Sequence, residues 1–282
     1  MYNYYGGVMK KRRLKKSVKQ KILYFFLLIT IGVIIFCITK ILFWANDNKK
    51  TGEMIDTIND QVKINTSDEE IVNIEESIEK DDPYWSYNSS LVKNVDLTKL
   101  MEINNETVGW IAIQNSTVNY PVVQHSDNDY YLNHSFDRSI NGAGWVFMDY
   151  RNNYKDIDDN TIMYAHGRLD YTMFGALKKF LNKSWIDNPQ NYVMNFSNNN
   201  YNSLWQIFSV YKIETTSDYL TINFNDPNER LNFYNMLKDR SIYDFKTTLS
   251  DTNKIMTLST CYNDSEKLVV HAKLIKIQYK NQ

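Results

Sequence analysis

Cys261 is the residue whose type and position most directly suggest chemistry. The chain contains two cysteines, and Cys261 ends the run Thr257-Leu258-Ser259-Thr260-Cys261. The other, Cys37, lies within an apolar segment, where a thiol behaves as a small hydrophobic side chain. Cys261 therefore has no plausible disulfide partner within the chain. A cysteine nucleophile needs a base or cationic neighbour, a proton donor and a group that stabilises an oxyanion. These are the partners to look for around Cys261.

The candidate for proton transfer is one of four histidines. His166 follows the apolar run 161–165 and precedes Gly167, and a strand end that opens into a glycine turn can expose an imidazole. On the residues alone, a catalytic and a structural role both remain open for His166. The other three are expected to be structural, at the surface or beside the site: His271 within a predicted strand, and His125 and His134 flanking the polar segment 127–132.

A membrane anchor is predicted near the N-terminus. Eight basic residues and no acidic one occur between Lys10 and Lys21, and an apolar segment follows over 22–45 with Lys40 as its only charge. A helix of this length crosses roughly 30 Å of hydrocarbon. The positive-inside rule places the N-terminus in the cytoplasm and the chain after Asn46 outside the cell. Because unpaired thiols are uncommon in that oxidising environment, nucleophilic chemistry is the best reason for retaining Cys261.

Two other interpretations of the apolar segment are weaker. A cleaved signal peptide has a shorter apolar core, of about 7–15 residues, and ends at a small-residue cleavage site. The residues that follow here, Phe43 to Asp47, offer no such site. A buried core helix is disfavoured by the adjacent basic cluster. The segment is therefore interpreted as an uncleaved anchor.

The segment 46–95 is polar and largely acidic, and is predicted to contain two short amphipathic helices. Apolar residues recur at helical spacing in two groups, with a helix break and start signal over 65–68. The groups are Met54, Ile55, Ile58 and Val62, then Ile71, Ile74 and Ile78. These helices could form a stalk or pack on the domain that follows.

From residue 96 onward the pattern predicts a mainly β domain with interposed helices. Many short strands over about 190 residues suggest a closed or nearly closed β-barrel with helical insertions. The predicted strands cover 107–113, 117–123, 144–148, 161–165, 204–213, 254–259 and 267–277, and the predicted helices cover 173–181 and 229–239.

Four ordered segments of this domain resemble the sortases, and class B in particular. The run 257–261 with Val269-Val270 resembles the sortase active-site strand. Three further segments agree with class B: Val108-Gly109-Trp110-Ile111 with Tyr120-Pro121-Val122-Val123-Gln124, Asp127-Asn128-Asp129-Tyr130-Tyr131-Leu132, and Ala143–Asp149 with Arg151-Asn152. The histidine segment Tyr164-Ala165-His166-Gly167, with Met173-Phe174 downstream, also fits. The resemblance covers about residues 96–282.

The resemblance implies a membrane-anchored cysteine transpeptidase of Gram-positive bacteria, with the thiol protease type of chemistry, built on an eight-stranded β-barrel. It implies that Cys261 attacks a surface protein after the threonine of a sorting motif of the Asn-Pro-x-Thr-x type. His166 would protonate the leaving amine and deprotonate the incoming one. The acceptor would be an amine of the cell-wall peptidoglycan precursor or, alternatively, a lysine of a pilin subunit. Strand alternation puts Ser259 on the same face as Cys261, so Ser259 is expected to line the substrate groove. Tyr219-Leu220 resembles a class B segment near the substrate, and the alternative is that the pair belongs to the core.

Charge, hydropathy and the resemblance together divide the chain into four parts. These are a basic cytoplasmic tail (1–21), a single-pass transmembrane anchor (22–45), an acidic helical stalk or N-terminal helices (46–95), and an extracellular sortase catalytic domain (96–282).

One departure from the family concerns the residue after the cysteine strand. The family carries an arginine there, and here the corresponding residue is Lys267. Lysine supplies a point charge rather than a planar fork of two donors. We expect Lys267 to take the place of the arginine, with slower chemistry. The alternatives are substitution by Arg168 and an attenuated sortase-fold binding module in which Lys267 is an ordinary strand residue.

Other functional classes find little support. A net charge of −1 gives no indication of a nucleic-acid partner. No cofactor motif is present, and His and Cys are not spaced for a zinc site. The acidic run Asp156-Ile157-Asp158-Asp159 could bind calcium, but the pattern is more typical of a solvated loop.

Overall fold

The computed structural model of the protein describes residues 16–66, 72–73, 92–263 and 265–280. The chain forms two compact units, Met1–Asp47 and Asn48–Gln282. A single helix, α1 (Lys16–Gln61), begins in the first unit and ends in the second.

In the first unit, α1 carries the apolar segment 22–45. Its large hydrophobic side chains are exposed along this length, from Ile22 to Trp44. Within the described ranges, α1 alone has the length and apolar composition of a membrane-spanning helix or of a signal sequence.

In the second unit, the last turns of α1 pack against the hydrophobic core. Thr51 and Ile58 are buried, and Met54, Ile55 and Val62 are partly buried against core side chains. The helical spacing of this first apolar group is therefore explained by packing on the domain.

The remainder of the segment 46–95 differs from the prediction where it is described. Ile64–Thr66 form strand β1, which pairs with β3 (Lys93–Val95). Val72–Asn73 form strand β2, although a helix was predicted over 71–78. β2 adds to the edge of the main sheet, so pairing with an available strand overrides the helical spacing there. Ile71, Ile74 and Ile78 lie outside the described residues.

Eight strands of the second unit close into a β-barrel, in the order β10-β7-β6-β5-β4-β8-β9-β11, and β10 also pairs with β11. Their bounds are β4 (Thr107–Ile113), β5 (Asn119–Val123), β6 (Phe147–Met148), β7 (Asn160–Tyr164), β8 (Val193–Ser197), β9 (Tyr201–Glu214), β10 (Ile255–Cys261) and β11 (Glu266–Tyr279). The prediction of a mainly β fold with a closed barrel is confirmed.

The helices lie between the strands. They are α2 (Thr98–Ile103), α3 (Lys183–Ile186) and α4 (Pro227–Asp239), with 3₁₀ turns at Tyr130–Leu132, Phe174–Leu181 and Pro189–Tyr192. α4 begins two residues earlier than predicted, since Pro227 occupies the first turn and the Asp226 side chain caps it. The segment predicted as a helix over 173–181 is a 3₁₀ helix.

The barrel interior is filled by large apolar side chains. Trp110, Trp145 and Trp205 are each 1% exposed or less. All seven residues of β4 are buried, as expected for a strand covered on both faces. Strand β8 was not predicted because Val193–Ser197 contains two polar residues, Asn195 and Ser197. Both make hydrogen bonds to the backbone of β3.

Candidate active site

Strands β10 and β11 bring Cys261 and Lys267 together. The two strands are antiparallel, and Cys261 lies directly opposite Lys267 in the register. Lys267 Nζ donates to Cys261 Sγ at 3.0 Å. Cys261 is exposed and Lys267 is half-buried. Lys267 is thus the cationic neighbour of the thiol.

The short connection between the two strands fixes this pairing. Tyr262 N donates to Glu266 O at 2.9 Å, which continues the ladder by one step past Cys261. The Asn263 side chain accepts from the backbone N–H groups of Ser265 and Glu266, at 2.9 and 2.8 Å. An asparagine that bonds the backbone in this way stabilises a tight turn.

His166 reaches the site from the parallel strand on the other side of β10. β7 pairs with β10 so that Tyr164 lies opposite Ser259, and His166 follows β7 by two residues. Thr260 Oγ1 donates to the carbonyl of Ala165 at 2.7 Å. This hydrogen bond therefore links the chain segments that carry His166 and Cys261 beyond the last paired residues of β7 and β10.

Gly167 allows these two segments to approach closely. A Cβ atom at Gly167 would lie 1.9 Å from the carbonyl oxygen of Cys261 and 3.0 Å from Thr260 Oγ1. Any side chain here would push the two segments apart. Gly167 thus allows the segments that carry His166 and Cys261 to lie close together, in addition to its place in the turn.

The imidazole of His166 is held by a backbone carbonyl. His166 Nε2 lies 2.7 Å from the carbonyl oxygen of Leu132. Because a carbonyl only accepts, Nε2 carries the proton of this bond. Gly144, at φ +60°, packs against the ring edge, since a Cβ there would lie 3.0 Å from His166 Cδ2.

A cavity of about 400 Å³ connects these groups. It contains every site residue predicted from the sequence. Its lining consists of Cys261, His166, Lys267, Ser259, Thr260, Tyr219, Leu220, Asn128, Leu132, Phe147, Tyr164, Ala165, Thr215 and Thr216. A thiol, an imidazole and an ammonium group on one apolar-walled groove can together carry out acyl transfer.

Ser259 and Tyr219 form part of the cavity wall. Tyr219 is 2% exposed, and its hydroxyl lies 3.0 Å from Ser259 Oγ. Burial raises the pKa of Tyr219 above its ordinary value, opposed by the hydrogen bond to Ser259. The tyrosine is therefore a neutral, fixed part of the wall.

A second polar network supports the wall at Tyr164. Tyr164 and Arg151 both donate to the buried carboxylate of Asp149, each at 2.8 Å. Burial acts to raise the pKa of Asp149, but hydrogen bonds from Arg151 and Tyr164 outweigh it and hold this pKa below its usual range. The charge of Asp149 is thus compensated by Arg151.

The other histidines lie away from the cavity. His271 is fully buried between Thr257 Oγ1 and the Tyr211 hydroxyl, each at 2.9 Å, as predicted for a structural residue. Burial, aided by the charge of Arg240, lowers the pKa of His271 to about 3. His125 Nδ1 lies 2.8 Å from Glu106 Oε1.

Arg168 is not among the residues lining the cavity. Its guanidinium binds Asp170 and Thr172, with Nε donating to Thr172 Oγ1 at 2.8 Å, and it also contacts Asn48. The positive charge beside Cys261 therefore comes from Lys267 and not from Arg168.

The acidic run 156–159 is engaged by the protein itself. Asp158 accepts from the side chains of Asn152 and Asn223, and Asp159 from Lys254. In the described part of the chain, no group of three or more His, Cys, Asp or Glu side chains is placed to hold a metal ion.

Two contributors to the site were not identified from the sequence. The Leu132 carbonyl is a backbone group, so residue type carries no signal for it. The closeness of Gly167 to Cys261 depends on strand pairing. The available signal was indirect, since Leu132 ends one of the segments that resemble class B sortases.

Comparisons with known proteins agree with this geometry. A family model described as the sortase domain matches residues 111–275. Sortase B of Staphylococcus aureus is 33% identical over 182 residues, which cover 63% of this chain and 74% of that protein. A structure described as the Staphylococcus aureus sortase B–substrate complex is 35% identical, with a TM-score of 0.60, and the match covers 64% of this chain and 84% of that one.

A second structure, described as sortase B complexed with triglycine, is 34% identical, with a TM-score of 0.61. The match covers 64% of this chain and 85% of that one. The family match, the identity to curated sortase B and the closed barrel lead to one assignment. The chain belongs to the sortase family of cysteine transpeptidases, within class B.

Proposed function

We propose that Cys261 is the nucleophile of this sortase, that His166 is its proton-transfer group, and that Lys267 supplies the positive charge for the oxyanion. The observation that carries the proposal is the 3.0 Å contact between Lys267 Nζ and Cys261 Sγ, two residues that line the same cavity as His166. In the reaction, the sulfur adds to a peptide carbonyl and an acyl-enzyme thioester remains after the amine leaves.

His166 is assigned the proton transfers on both sides of the thioester. With Nε2–H donating to the Leu132 carbonyl, Nδ1 is the ring nitrogen that exchanges protons with the amines. It donates a proton to the leaving amine and takes one from the incoming amine. The carbonyl of Leu132 orients the ring through both steps.

Lys267 is assigned the role that arginine plays elsewhere in the family. Its ammonium group can donate to the oxygen that becomes negative when the sulfur adds to the carbonyl. It does so as one point charge on a flexible stem, whereas a guanidinium offers two aimed donors. The chemistry should therefore be slower than with arginine.

The substrate is a protein bearing a sorting motif of the Asn-Pro-x-Thr-x type, cleaved after threonine. The apolar wall around Leu220 and Phe147, and the polar pair Ser259–Tyr219, provide contacts for such an extended peptide. A relative's structure is a substrate complex, and another is complexed with triglycine. The second favours a peptide amine of the cell wall as acceptor over a pilin lysine.

The proposed location is the cell membrane, with the N-terminus in the cytoplasm and the domain from residue 96 outside the cell. The exposed apolar stretch of α1 and the basic residues before it in the sequence support this orientation. In that orientation, the site would meet secreted substrates and lipid-linked wall precursors.

The test is peptide cleavage by the full chain in detergent. Fluorogenic Asn-Pro-x-Thr-x peptides are incubated with the native chain and the variants Cys261→Ala, His166→Ala and Lys267→Arg. Cleavage after threonine should be abolished in the first two and kept or raised in the third. His125→Ala is the matched control, because His125 does not line the cavity, and it should remain active.

Adding triglycine or an acetylated lysine amide identifies the acceptor. A glycine-linked product supports wall attachment, and a lysine-linked product supports the pilin-type alternative. Full cleavage by Cys261→Ala or His166→Ala would contradict the residue assignment.

A further inference from the structure

Lys267 differs from an arginine in that its amine can act as a nucleophile, a property that plays no part in stabilising the oxyanion. An amine is a nucleophile once it loses its proton, whereas a guanidinium is not deprotonated in proteins. Lys267 places this amine 3.0 Å from the sulfur to which an acyl group would be attached.

We propose that Lys267 is an intramolecular acceptor for the acyl group on Cys261, so that the chain forms an amide bond between that group and its own side chain. The proposal rests on the assignment of Cys261 as the nucleophile. It adds a site of covalent self-modification at Lys267.

The geometry places the amine 3.0 Å from the sulfur that would carry the acyl group. The carbonyl carbon of a thioester is one covalent bond from Sγ, and reacting atoms in productive conformers are about 3–3.5 Å apart. Lys267 lies directly opposite Cys261 in the β10–β11 register, and the Asn263 turn holds this pairing. The amine is therefore presented at a high effective concentration.

The step balances without an external reagent. The Lys267 ammonium first releases one proton to solvent. The neutral amine then adds to the thioester carbonyl, the new N–C bond forms, and the C–S bond breaks. Cys261 departs as the thiolate, and the second proton leaves the nitrogen to the thiolate or to solvent. The products are an amide at Lys267 and a restored thiol at Cys261.

The product differs from the starting enzyme in charge and in space. The amide is neutral, so the cationic neighbour of Cys261 is lost, and the acyl group occupies the cavity that both residues line. Self-acylation therefore ends turnover. An acceptor amine in solution competes with Lys267 and should protect the enzyme.

Lys212 is a matched internal control. Lys212 lies on β9 opposite Leu268, the residue that follows Lys267 in β11. Its Nζ is 4.4 Å from the centre of the Tyr262 ring. Its side chain is exposed. A reagent that modifies lysines without the help of Cys261 should modify Lys212 as readily as Lys267.

The experiment uses the full chain in detergent and p-nitrophenyl acetate, which needs no sorting motif. Acetylated lysines are mapped by tryptic mass spectrometry, and thioesters are identified by their release with hydroxylamine. We expect acetyl-Lys267 to exceed acetyl-Lys212 by at least about tenfold. Cys261→Ala should abolish this excess, and Lys267→Arg should lengthen the lifetime of the Cys261 thioester.

Three results would overturn the proposal. The first is a Cys261 thioester that hydrolyses while Lys267 stays unmodified. The second is acetylation of Lys267 in Cys261→Ala to the same extent as in the native chain. The third is no acetylation of Cys261 or of Lys267. The peptide assay separates this proposal from the proposed function. Cleavage of sorting peptides with Lys267 unmodified would retain the transpeptidase assignment and reject self-acylation.

Discussion

Replacing Gly167 with alanine tests whether the close approach of two chain segments sets the reaction rate. The new Cβ would lie 1.9 Å from the Cys261 carbonyl oxygen, and ordinary contact begins near 3.4 Å. The segments carrying His166 and Cys261 must therefore separate by about 1.5 Å, and displacements near 1 Å cost about 100-fold in rate. We expect kcat/KM of Gly167→Ala to fall by about 100-fold or more, with about 1–3 kcal/mol lost in stability.

The assay is steady-state cleavage of a sorting peptide, with urea unfolding measured on the same samples. Gly109→Ala is the matched control, because its Cβ would lie 2.4 Å from the Phe196 ring and Gly109 does not line the cavity. This control should lose comparable stability and keep most of its activity. Native kcat/KM in Gly167→Ala, or an equal loss of activity in both variants, would show that the close approach at Gly167 does not set the rate.

Three further substitutions test the supporting contacts. Tyr219→Phe removes the hydrogen bond to Ser259. We expect the unfolding free energy, measured by urea titration, to fall by about 1 kcal/mol and the KM, measured by peptide kinetics, to rise. If neither value changes, this hydrogen bond contributes to neither stability nor substrate binding. Thr260→Val leaves the buried carbonyl of Ala165 without its donor, and should cost about 1–3 kcal/mol and lower kcat/KM; a neutral effect on both would contradict the positioning role. His271 has its folded pKa lowered to about 3, so its contribution to stability is present above about pH 6.5 and is lost as the pH falls. The native chain should lose about 2 kcal/mol more than His271→Gln between pH 7 and pH 5, and parallel pH curves for the two proteins would contradict the buried neutral state.

Residue type and strand position were enough to select the side chains that the structure brings together. Cys261 ends a strand of apolar pattern, and His166 follows another such strand. The resemblance to sortases singled out Lys267, and all three side chains line one cavity.

The contacts that position these side chains were beyond the sequence. The Leu132 carbonyl and the close approach at Gly167 depend on how strands pair, not on residue type. Tertiary pairing also overrode local spacing at Val72–Asn73, which joined the sheet edge beside β11. The polar residues of β8 concealed a central strand because their side chains are satisfied by β3.

If Cys261 is the nucleophile, the acyl group must pass through its sulfur. Tandem mass spectrometry can detect this intermediate in the full chain, quenched in acid during turnover of an Asn-Pro-x-Thr-x peptide. We expect a hydroxylamine-labile adduct on Cys261 that ends in threonine, forms early and disappears when an amine acceptor is added. Peptide cleavage without any such adduct, or cleavage that persists in Cys261→Ala, would contradict this role of Cys261.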